Sequence, residues 1–376
     1  MTGQIAARFP SLAQHFEAPP DFRAVFGWMC GYSADAAFLD DALERFTRQT
    51  IAQRAYDARV WLALMLDPGN PPLLFTEVPG IAHLPFLDGA ARPFALLHAK
   101  VAMLGFRSTE DPDRWRIRLI VSTGNWTRQT LEESLDLAWC IGVDSTDLAD
   151  STEPVATHCA DITAARSLLD WLASRCDTRL LQGTAGRMTE TVRDRGDLER
   201  WLARCAKTAG HAAARFFDNR QRSLLAQLAE RVEATSNGKA VRRNYLAMGS
   251  GFYEAPVATG TRPTVPIQIR DHLRAGGLLT QKADIDLFVN PLECQAIAGA
   301  VTELAAEGLT VRSAAAPAAV YGENAVRTLH AKFIFSANYR GNSDYCGSPW
   351  LYLGSGNLTR AGFCRIFQPR HRQISA

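Results

Sequence analysis

The sequence predicts an α/β fold of two similar halves joined by a helical segment. Apolar runs typical of strands alternate with helix-like segments in both halves. A short polar motif occurs once in each half, in the same register. Residues 162–234 differ, because strand signals vanish there and apolar residues recur at helical spacing. We therefore expect a first half at 1–161, a helical connector at 162–243 and a second half at 244–376.

Five buried strands are expected in the first half. Asp35 is expected to cap a helix just after the first strand, since apolar residues recur at helical spacing over 38–46. The second strand ends at 67–70 in Asp-Pro-Gly-Asn, which is a turn signature. The expected strands are 22–32, 60–66, 94–104, 115–123 and 135–141.

The second half repeats this order of elements. An apolar strand is expected at 244–253, and another at 284–289 ends at Asn290 and a proline. A helix at 292–307 follows, and a strand at 327–335 carries the second copy of the motif. The repeat therefore includes the flanking fold as well as the motif.

The repeated motif is His-x-Lys, followed 25 positions after the lysine by the asparagine of Gly-Asn-x-Thr-Arg. With eight histidines and five lysines in 376 residues, about 0.1 His-x-Lys would arise by chance, yet two occur in register. The chain has 36 arginines, so a lysine at both motifs indicates a need for a compact charge. The repeated residues are His98, Lys100 and Asn125 in the first half, and His330, Lys332 and Asn357 in the second.

These residue types suit chemistry at a phosphoryl group. Alternation along a strand places the His and Lys of each motif on one face. Lysine ammonium groups and asparagine amides can stabilise phosphoryl oxygens, while an imidazole can attack phosphorus or protonate a leaving group. The two sets together predict one phosphoryl site with a histidine on either side.

The motifs resemble those of the phospholipase D superfamily, and in particular its tyrosyl-DNA phosphodiesterase branch. In the wider superfamily an Asp follows His-x-Lys after four residues, whereas Gly105 and Ala337 stand at those positions here. The resemblance extends over residues 22–363. It implies two pseudo-symmetric phospholipase D-like half-domains, each a mixed sheet flanked by helices, with a helical connector.

The resemblance also implies roles for the motif residues. His98 would be the nucleophile that forms a covalent phosphohistidine, and His330 would protonate the leaving group and later activate water. The two lysines and two asparagines would hold the phosphate oxygens. In the superfamily a carboxylate downstream of the asparagine orients a histidine, and Asp136 is the candidate here. No Asp or Glu follows Asn357, so the second half offers no matching carboxylate.

The function that we expect is a metal-independent phosphodiesterase acting on nucleic acid, with DNA preferred over RNA. It would process 3′ ends as a tyrosyl-DNA phosphodiesterase does, in DNA repair, or would act as a nuclease. A phospholipase D-type lipid phosphodiesterase stays open as an alternative, although no basic amphipathic helix supports it. A catalytically impaired scaffold that binds DNA is a third possibility, suggested by the short segment after Asn357.

Composition narrows the classes further. The formal net charge is +2, so affinity for nucleic acid would need a local basic groove. The eight cysteines are scattered without a C-x-x-C pair, which indicates buried thiols and neither a disulfide framework nor a zinc site. No apolar run approaches the ~18 to 20 residues of a membrane span, and residues 1–10 show no signal-peptide pattern. A cytoplasmic monomer without cofactor, metal or membrane association is expected.

Residues near the motifs leave two further questions open. Aromatic side chains at Trp126, Trp139, Trp350 and Tyr352 can stack on a base or pack in the core, and core packing is favoured. The arginines can contact phosphate or face solvent. This applies to Arg128 and Arg360, and to the run 215–222 with Arg242 and Arg243, for which a solvated helix face is slightly favoured.

Overall fold

The computed structural model describes residues 10–87, 94–150, 152–182, 189–236, 238–254, 264–343 and 345–366. The fold is mixed α/β, with three β-sheets flanked by helices. The chain divides into two compact units. The N-terminal unit comprises the described residues of Ala6–Leu131 and Ala138–Phe217, and the C-terminal unit comprises those of Glu132–Leu137 and Asp218–Gln368.

The helices are named in chain order. They are α1 (Ala36–Thr47), α2 (Ile51–Asp57), α3 (Arg128–Glu132), α4 (Glu153–Ala173), α5 (Glu190–Ala209), α6 (Leu224–Ala234), α7 (Val265–Ala275), α8 (Gln295–Ala298), α9 (Val301–Ala306) and α10 (Ala318–Tyr321). Short 3₁₀ turns lie at Ala13–Phe16, Asp147–Ala149 and Arg179–Leu181, and a π-helical turn lies at Arg360–Cys364.

The strands are named in the same way. They are β1 (Phe22–Gly31), β2 (Leu62–Leu66), β3 (Ile81–His83), β4 (Val101–Ser108), β5 (Trp115–Ser122), β6 (Ser134–Leu135), β7 (Ala138–Asp144), β8 (Arg243–Ser250), β9 (Leu279–Val289), β10 (Thr310–Ser313), β11 (Thr328–Leu329), β12 (Phe333–Asn338) and β13 (Gly347–Leu353).

The N-terminal unit contains a six-stranded mixed sheet in the order β3-β2-β1-β4-β5-β7. The first three of these strands run parallel, and β4, β5 and β7 continue as antiparallel neighbours. Since β1 and β2 are buried along almost their whole length, both faces of this part of the sheet are covered. The sequence shows this as near-continuous apolar runs rather than alternation.

The C-terminal unit contains a five-stranded mixed sheet in the order β10-β9-β8-β12-β13. Again three parallel strands are followed by antiparallel ones. Strand directions therefore match those of β3-β2-β1-β4-β5 position by position. A two-stranded parallel sheet of β6 and β11 also belongs to this unit, although β6 lies in the first half of the sequence.

The expected helix after the first strand is α1, and Asp35 caps it by accepting the amide hydrogen of Phe38 at 2.7 Å. The apolar residues predicted over 38–46 are fully buried against the sheet, in one cluster that includes Phe16 and Trp126. Burial of large side chains of this kind contributes about 1.5–3 kcal/mol each. The amphipathic pattern therefore determines which face of α1 meets β1 and β2.

The segment 162–234, for which helical spacing was expected, is helical over much of its length. Helices α4, α5 and α6 cover much of 162–234, but residues 210–223 are not helical. Helix α5 packs on the N-terminal sheet, where Trp201 stacks on Trp115 at a ring distance of 5.5 Å. Two buried carboxylates of α5 strengthen this attachment, since Asp194 pairs with Arg59 and Asp197 pairs with Arg107.

The helix expected at 292–307 is two short helices, α8 and α9, because Gly299 ends the first and Ala300 adopts non-helical φ of −129°. Its start is also delayed, since the Asn290 side chain accepts the amide hydrogen of Leu292 at 3.1 Å in a local turn. Within the described ranges, no helix is both long and apolar enough to cross a bilayer.

Candidate active site

His98 and Lys100 lie just before β4, so the strand predicted at 94–104 was wrong in its first seven residues. The cause is a buried carboxylate: Asp67 Oδ2 accepts the amide hydrogen of Leu97 at 2.7 Å. This hydrogen bond uses a backbone donor that a strand would give to its neighbour. The motif therefore lies in an extended segment that enters the sheet only at Val101.

The Lys100 ammonium group lies against His98. Lys100 is fully buried, and its Nζ lies 3.1 Å from both ring nitrogens of His98 and 3.0 Å from the His98 carbonyl oxygen. The Tyr32 ring lies beside both residues, 5.5 Å from the imidazole and 5.9 Å from Nζ. A desolvated cation is thus held next to an imidazole, where its charge acts more strongly than in water.

Asn125 follows β5 in a tight turn. Its neighbour Trp126 is fully buried, donates its indole N–H to the Cys30 carbonyl at 2.8 Å and exchanges backbone hydrogen bonds with residues 33–35. The Asn125 Oδ1 atom is buried and has no hydrogen-bond partner among the described residues. The side-chain amide of Asn125 offers an acceptor and two donors that can bind a ligand.

His330 and Lys332 occupy the gap between β11 and β12, so the continuous strand expected at 327–335 was also wrong. The interruption arises because the amide hydrogens of His330 and Ala331 both bond the Leu135 carbonyl, at 3.1 and 2.8 Å. Because two consecutive amides share one carbonyl acceptor, the chain turns at these residues and the strand is broken. In each half the motif therefore lies at the edge of a strand and not within it.

The Lys332 ammonium group lies against His330 in the same manner. Lys332 is fully buried, with Nζ 2.9 Å from Nε2 and 3.2 Å from Nδ1 of His330. Burial lowers the pKa of Lys332 to about 8, and the nearby Asp136 carboxylate opposes this shift. The cation is therefore costly to hold in this position.

Asp136 lies beside His330. Its side chain is nearly buried, with Oδ1 at 3.0 Å and Oδ2 at 3.2 Å from His330 Nδ1. Asp136 lies in the break between β6 and β7, so the single strand expected at 135–141 is instead two strands. Both residues belong to the C-terminal unit. Asp136, the carboxylate predicted from the sequence to orient a histidine, thus contacts His330, which is 194 positions away.

Asn357 lies beside Ser250, a residue that the sequence motifs do not include. Ser250, which ends β8 and is fully buried, places its Oγ 3.4 Å from Asn357 Oδ1 and accepts the amide hydrogen of Leu358 at 3.2 Å. Tyr32 beside His98 is also outside the motifs. Tyr32 and Ser250 each lie at or just after the end of the first strand of their half. The repeat does not identify them, because the position equivalent to Ser250 is Gly31 and the position equivalent to Tyr32 is Gly251.

One hydrogen bond explains the matched spacing of 25 residues. The Lys100 carbonyl accepts the amide hydrogen of Ser122 at 3.0 Å, and the Lys332 carbonyl accepts that of Gly354 at 3.3 Å. In both halves this donor lies 22 positions after the lysine (122 − 100 and 354 − 332) and three before the asparagine. The antiparallel ladder therefore places each asparagine at a fixed distance from its lysine.

The two positions where the wider superfamily has Asp cannot hold that side chain here. A Cβ atom added at Gly105 would lie 2.9 Å from Leu198 Cδ1 and 3.3 Å from the Phe26 carbonyl oxygen. Ala337 is fully buried within β12. An unpaired carboxylate at either position would have a large desolvation cost.

The aromatic residues near the motifs divide between core and partial exposure. Trp126 and Trp350 are buried, as the core-packing interpretation predicts. Trp139 is half-buried beneath the Arg215 guanidinium, 5.2 Å from its ring. Tyr352 is half-buried, packs edge-on against Phe363 at 5.5 Å, and burial raises the pKa of its hydroxyl.

The arginine run does not form a solvated helix face. Arg215 pairs with the fully buried Asp161 at 2.7 Å, and Arg243 is buried within β8, donating to the Ser348 carbonyl at 2.7 Å. Arg220 and Arg222 are also in ion pairs, with Asp218 and Glu230. These contacts hold irregular segments in place, which is a structural role.

A scan against models of known protein families gave no match, and a search of curated proteins gave none either. The part of the chain that the structure describes contains no cluster of three or more His, Cys, Asp or Glu side chains suited to a metal ion. The site residues are therefore interpreted from their geometry and from the resemblance of the motifs.

Proposed function

We propose that the chain is a metal-independent phosphodiesterase that acts on nucleic acid through a covalent phosphohistidine, and that its two units are pseudo-symmetric half-domains of the phospholipase D type. The observation that carries this proposal is the same arrangement in each unit. A buried lysine holds its ammonium group against the histidine two residues earlier, and an asparagine follows at a distance set by the strand ladder. The matching strand orders support the half-domain assignment.

The resemblance to the phospholipase D superfamily implies that both sets of residues act on one phosphodiester. His98 attacks phosphorus, forming a P–N bond, while the P–O bond to the leaving group breaks and His330 gives that oxygen a proton. His330 then takes a proton from water, which attacks phosphorus as the P–N bond breaks. The buried ammonium groups of Lys100 and Lys332 stabilise the negative charge that develops on the phosphoryl oxygens.

The lysine contacts support this sequence of steps. Lys332 Nζ lies 2.9 Å from Nε2 and 3.2 Å from Nδ1 of His330, so the positive charge lies against the ring between the two nitrogens. A phosphoryl oxygen is a stronger acceptor because it is charged. Binding of the phosphate would draw the ammonium group away from the ring, so that Nε2 can take up a proton from solvent and then give it to the leaving group.

Nucleic acid is favoured over lipid by the absence of Asp at Gly105 and Ala337, which is the feature that resembles the tyrosyl-DNA phosphodiesterase branch. Both positions are closely packed, so the small residues there are part of the packing of the two sheets. DNA is the expected substrate, with an adduct or nucleoside at the 3′ end.

A three-substrate assay tests the proposal. The full chain is incubated side by side with a 3′-tyrosyl oligonucleotide, a plain oligonucleotide and phosphatidylcholine vesicles. We expect cleavage of an oligonucleotide, loss of that activity in His98→Ala and His330→Ala, and full activity in the control His211→Ala, whose side chain is exposed. Cleavage of the lipid alone would reverse the substrate class, and DNA binding without turnover would identify an impaired scaffold.

A further inference from the structure

The Asp35 carboxylate hydrogen-bonds to the backbone of the turn that follows Asn125. Asp35 Oδ2 accepts the backbone amide hydrogen of Arg128 at 2.7 Å, while Oδ1 accepts that of Phe38 at 2.7 Å at the start of α1. The backbone of Asp35 adds a third link, donating to the Trp126 carbonyl at 3.0 Å. One side chain therefore connects the α1 cap to the segment just after Asn125.

The Glu254 carboxylate hydrogen-bonds in the same way to the backbone of the turn that follows Asn357. Glu254 Oε2 accepts the backbone amide hydrogen of Arg360 at 2.9 Å, and Oε1 lies 3.4 Å from the Nε of the same arginine. Glu254 is only a quarter exposed. Hydrogen bonds from a backbone N–H to a carboxylate are stronger than those to a neutral acceptor.

The two carboxylates occupy equivalent places. Asp35 lies four residues after the end of β1 (35 − 31), and Glu254 lies four residues after the end of β8 (254 − 250). Each accepts from the arginine three residues beyond the asparagine (128 − 125 and 360 − 357). The residue type differs while the contact is kept, so the contact itself is the repeated feature.

The asparagine side chains need this support from the backbone. Asn125 Oδ1 has no hydrogen-bond partner among the described residues, and Asn357 Oδ1 has one long contact of 3.4 Å to Ser250 Oγ. An amide with few side-chain partners is directed chiefly by the position of its Cα. A displacement of about 1 Å at a site that binds a transition state can cost as much as 100-fold in rate.

We propose that Asp35 and Glu254 are positioning residues that orient the amides of Asn125 and Asn357 toward the phosphoryl oxygens. This inference rests on the proposed phosphodiesterase function for its effect on rate. The orientation of the two amides is a property of the protein without substrate. Neither carboxylate touches the reacting atoms in this scheme.

The test uses Asp35→Asn and Glu254→Gln. An asparagine at position 35 can still cap α1 through its one oxygen, but its NH₂ group then faces the N–H of Arg128. We expect kcat to fall about tenfold with KM within about twofold in each variant. The controls are Asp41→Asn and Glu230→Gln, which alter a partly exposed ion pair with Arg45 and an exposed one with Arg222, and these should keep the activity of the unchanged protein.

A double-mutant cycle separates positioning from general stability. In an Asn125→Ala background there is no amide to orient, so Asp35→Asn should cost less than about twofold in kcat. The same holds for Glu254→Gln in Asn357→Ala. If each carboxylate change lowers kcat by the same factor with and without its asparagine, the proposal is overturned.

A second measurement does not depend on turnover. The side-chain amide resonances of Asn125 and Asn357 are assigned by their absence in the alanine variants, and are followed in ¹H–¹⁵N spectra of the free protein. Asp35→Asn should shift the Asn125 signal, and Glu254→Gln should shift the Asn357 signal. Unshifted signals would overturn the positioning role, whereas a complete lack of activity with shifted signals would count against the proposed function alone.

Discussion

The Asp136 carboxylate and the His330 imidazole form a pair whose protons can be assigned from chemistry. Asp136 Oδ1 lies 3.0 Å from Nδ1, and Lys332 Nζ lies 2.9 Å from Nε2. An ionised carboxylate only accepts, so Nδ1 carries a hydrogen in this contact, and in the neutral ring the lone pair is then on Nε2. Asp136 thereby sets both the tautomer and the ring orientation of His330.

We predict that Asp136→Asn lowers kcat by 100-fold or more, because an amide can present an N–H to Nδ1 and stabilise the wrong tautomer. Steady-state kinetics with an oligonucleotide substrate would measure the loss. The control is Asp113→Asn, an exposed residue in the loop between β4 and β5. A loss of less than about threefold would show that Asp136 does not set the state of His330.

Lys332 gives a prediction for pH. Burial lowers its pKa from 10.5 to about 8, so between these values the unfolded chain holds a proton that the folded chain has released. The free energy of unfolding should therefore rise with pH between about 8 and 10.5 from this group, whereas below pH 8 the buried ammonium group is a full cost. Activity should fall above pH 8, because the neutral amine no longer stabilises a phosphoryl oxygen.

The variant Lys332→Met should lose activity yet unfold at higher urea concentration at pH 7, with a gain of about 1–3 kcal/mol. Its stability should also vary less between pH 8 and 10. The exposed Lys282→Met is the matched control and should follow the unchanged protein. A variant that is less stable at pH 7 and keeps the same pH dependence would contradict this account of Lys332.

Gly251 supports the backbone at His330. A Cβ atom at this position would lie 2.8 Å from the Leu329 carbonyl oxygen and 2.9 Å from His330 Cα. Both are backbone atoms and cannot rotate away. We predict that Gly251→Ala destabilises the fold by about 1–3 kcal/mol and lowers kcat at least tenfold, since the imidazole must shift. Gly341→Ala, where a Cβ would meet nothing within 4 Å, should change neither urea unfolding nor kcat.

The sequence predicts β1, β2, β5 and the motif spacing well because these features depend on local patterns. Apolar runs identify β1, β2 and β5, and helical spacing identifies the buried face of α1. The spacing of 25 residues reflects one hydrogen bond of a strand ladder, to the carbonyl of Lys100 or Lys332. A pattern of this kind is preserved in any two copies of the same hairpin.

Other features could not be read from local patterns. His98 lies outside β4 because Asp67, 30 positions away, binds the backbone at Leu97. The pairing of Asp136 with His330 requires a chain segment from the first half of the sequence to fold with the second unit. Asp35 and Glu254 differ in type, so a search for identical residues misses them. Each depends on tertiary contacts, which periodicity does not encode.

Chelation tests the source of positive charge. Since the buried ammonium groups of Lys100 and Lys332 supply two cations beside the histidines, we predict that cleavage of the oligonucleotide persists in excess EDTA. A divalent ion added afterwards should not raise the rate. Activity that disappears on chelation and returns with the ion would exclude the proposed mechanism.

The last prediction concerns how the two histidines divide the reaction. A nucleophilic imidazole must be neutral and an acid must be protonated, so the two need different surroundings. Asp136 lies 3.0 Å from Nδ1 of His330 and leaves Nε2 as the atom that exchanges a proton, which suits the acid role, and we assign attack to His98. The two steps can be separated by trapping the covalent intermediate in each alanine variant.

His98→Ala should abolish covalent capture of labelled substrate. His330→Ala should still form phosphohistidine when the leaving group is good, such as p-nitrophenol, and then stall because no residue activates water. Rapid denaturation followed by mapping of the labelled peptide measures both outcomes. A label on His330 in the His98→Ala protein would reverse the two roles. A lack of label in His330→Ala with the activated substrate would show that His98 cannot attack alone, since a good leaving group needs no acid for the first step.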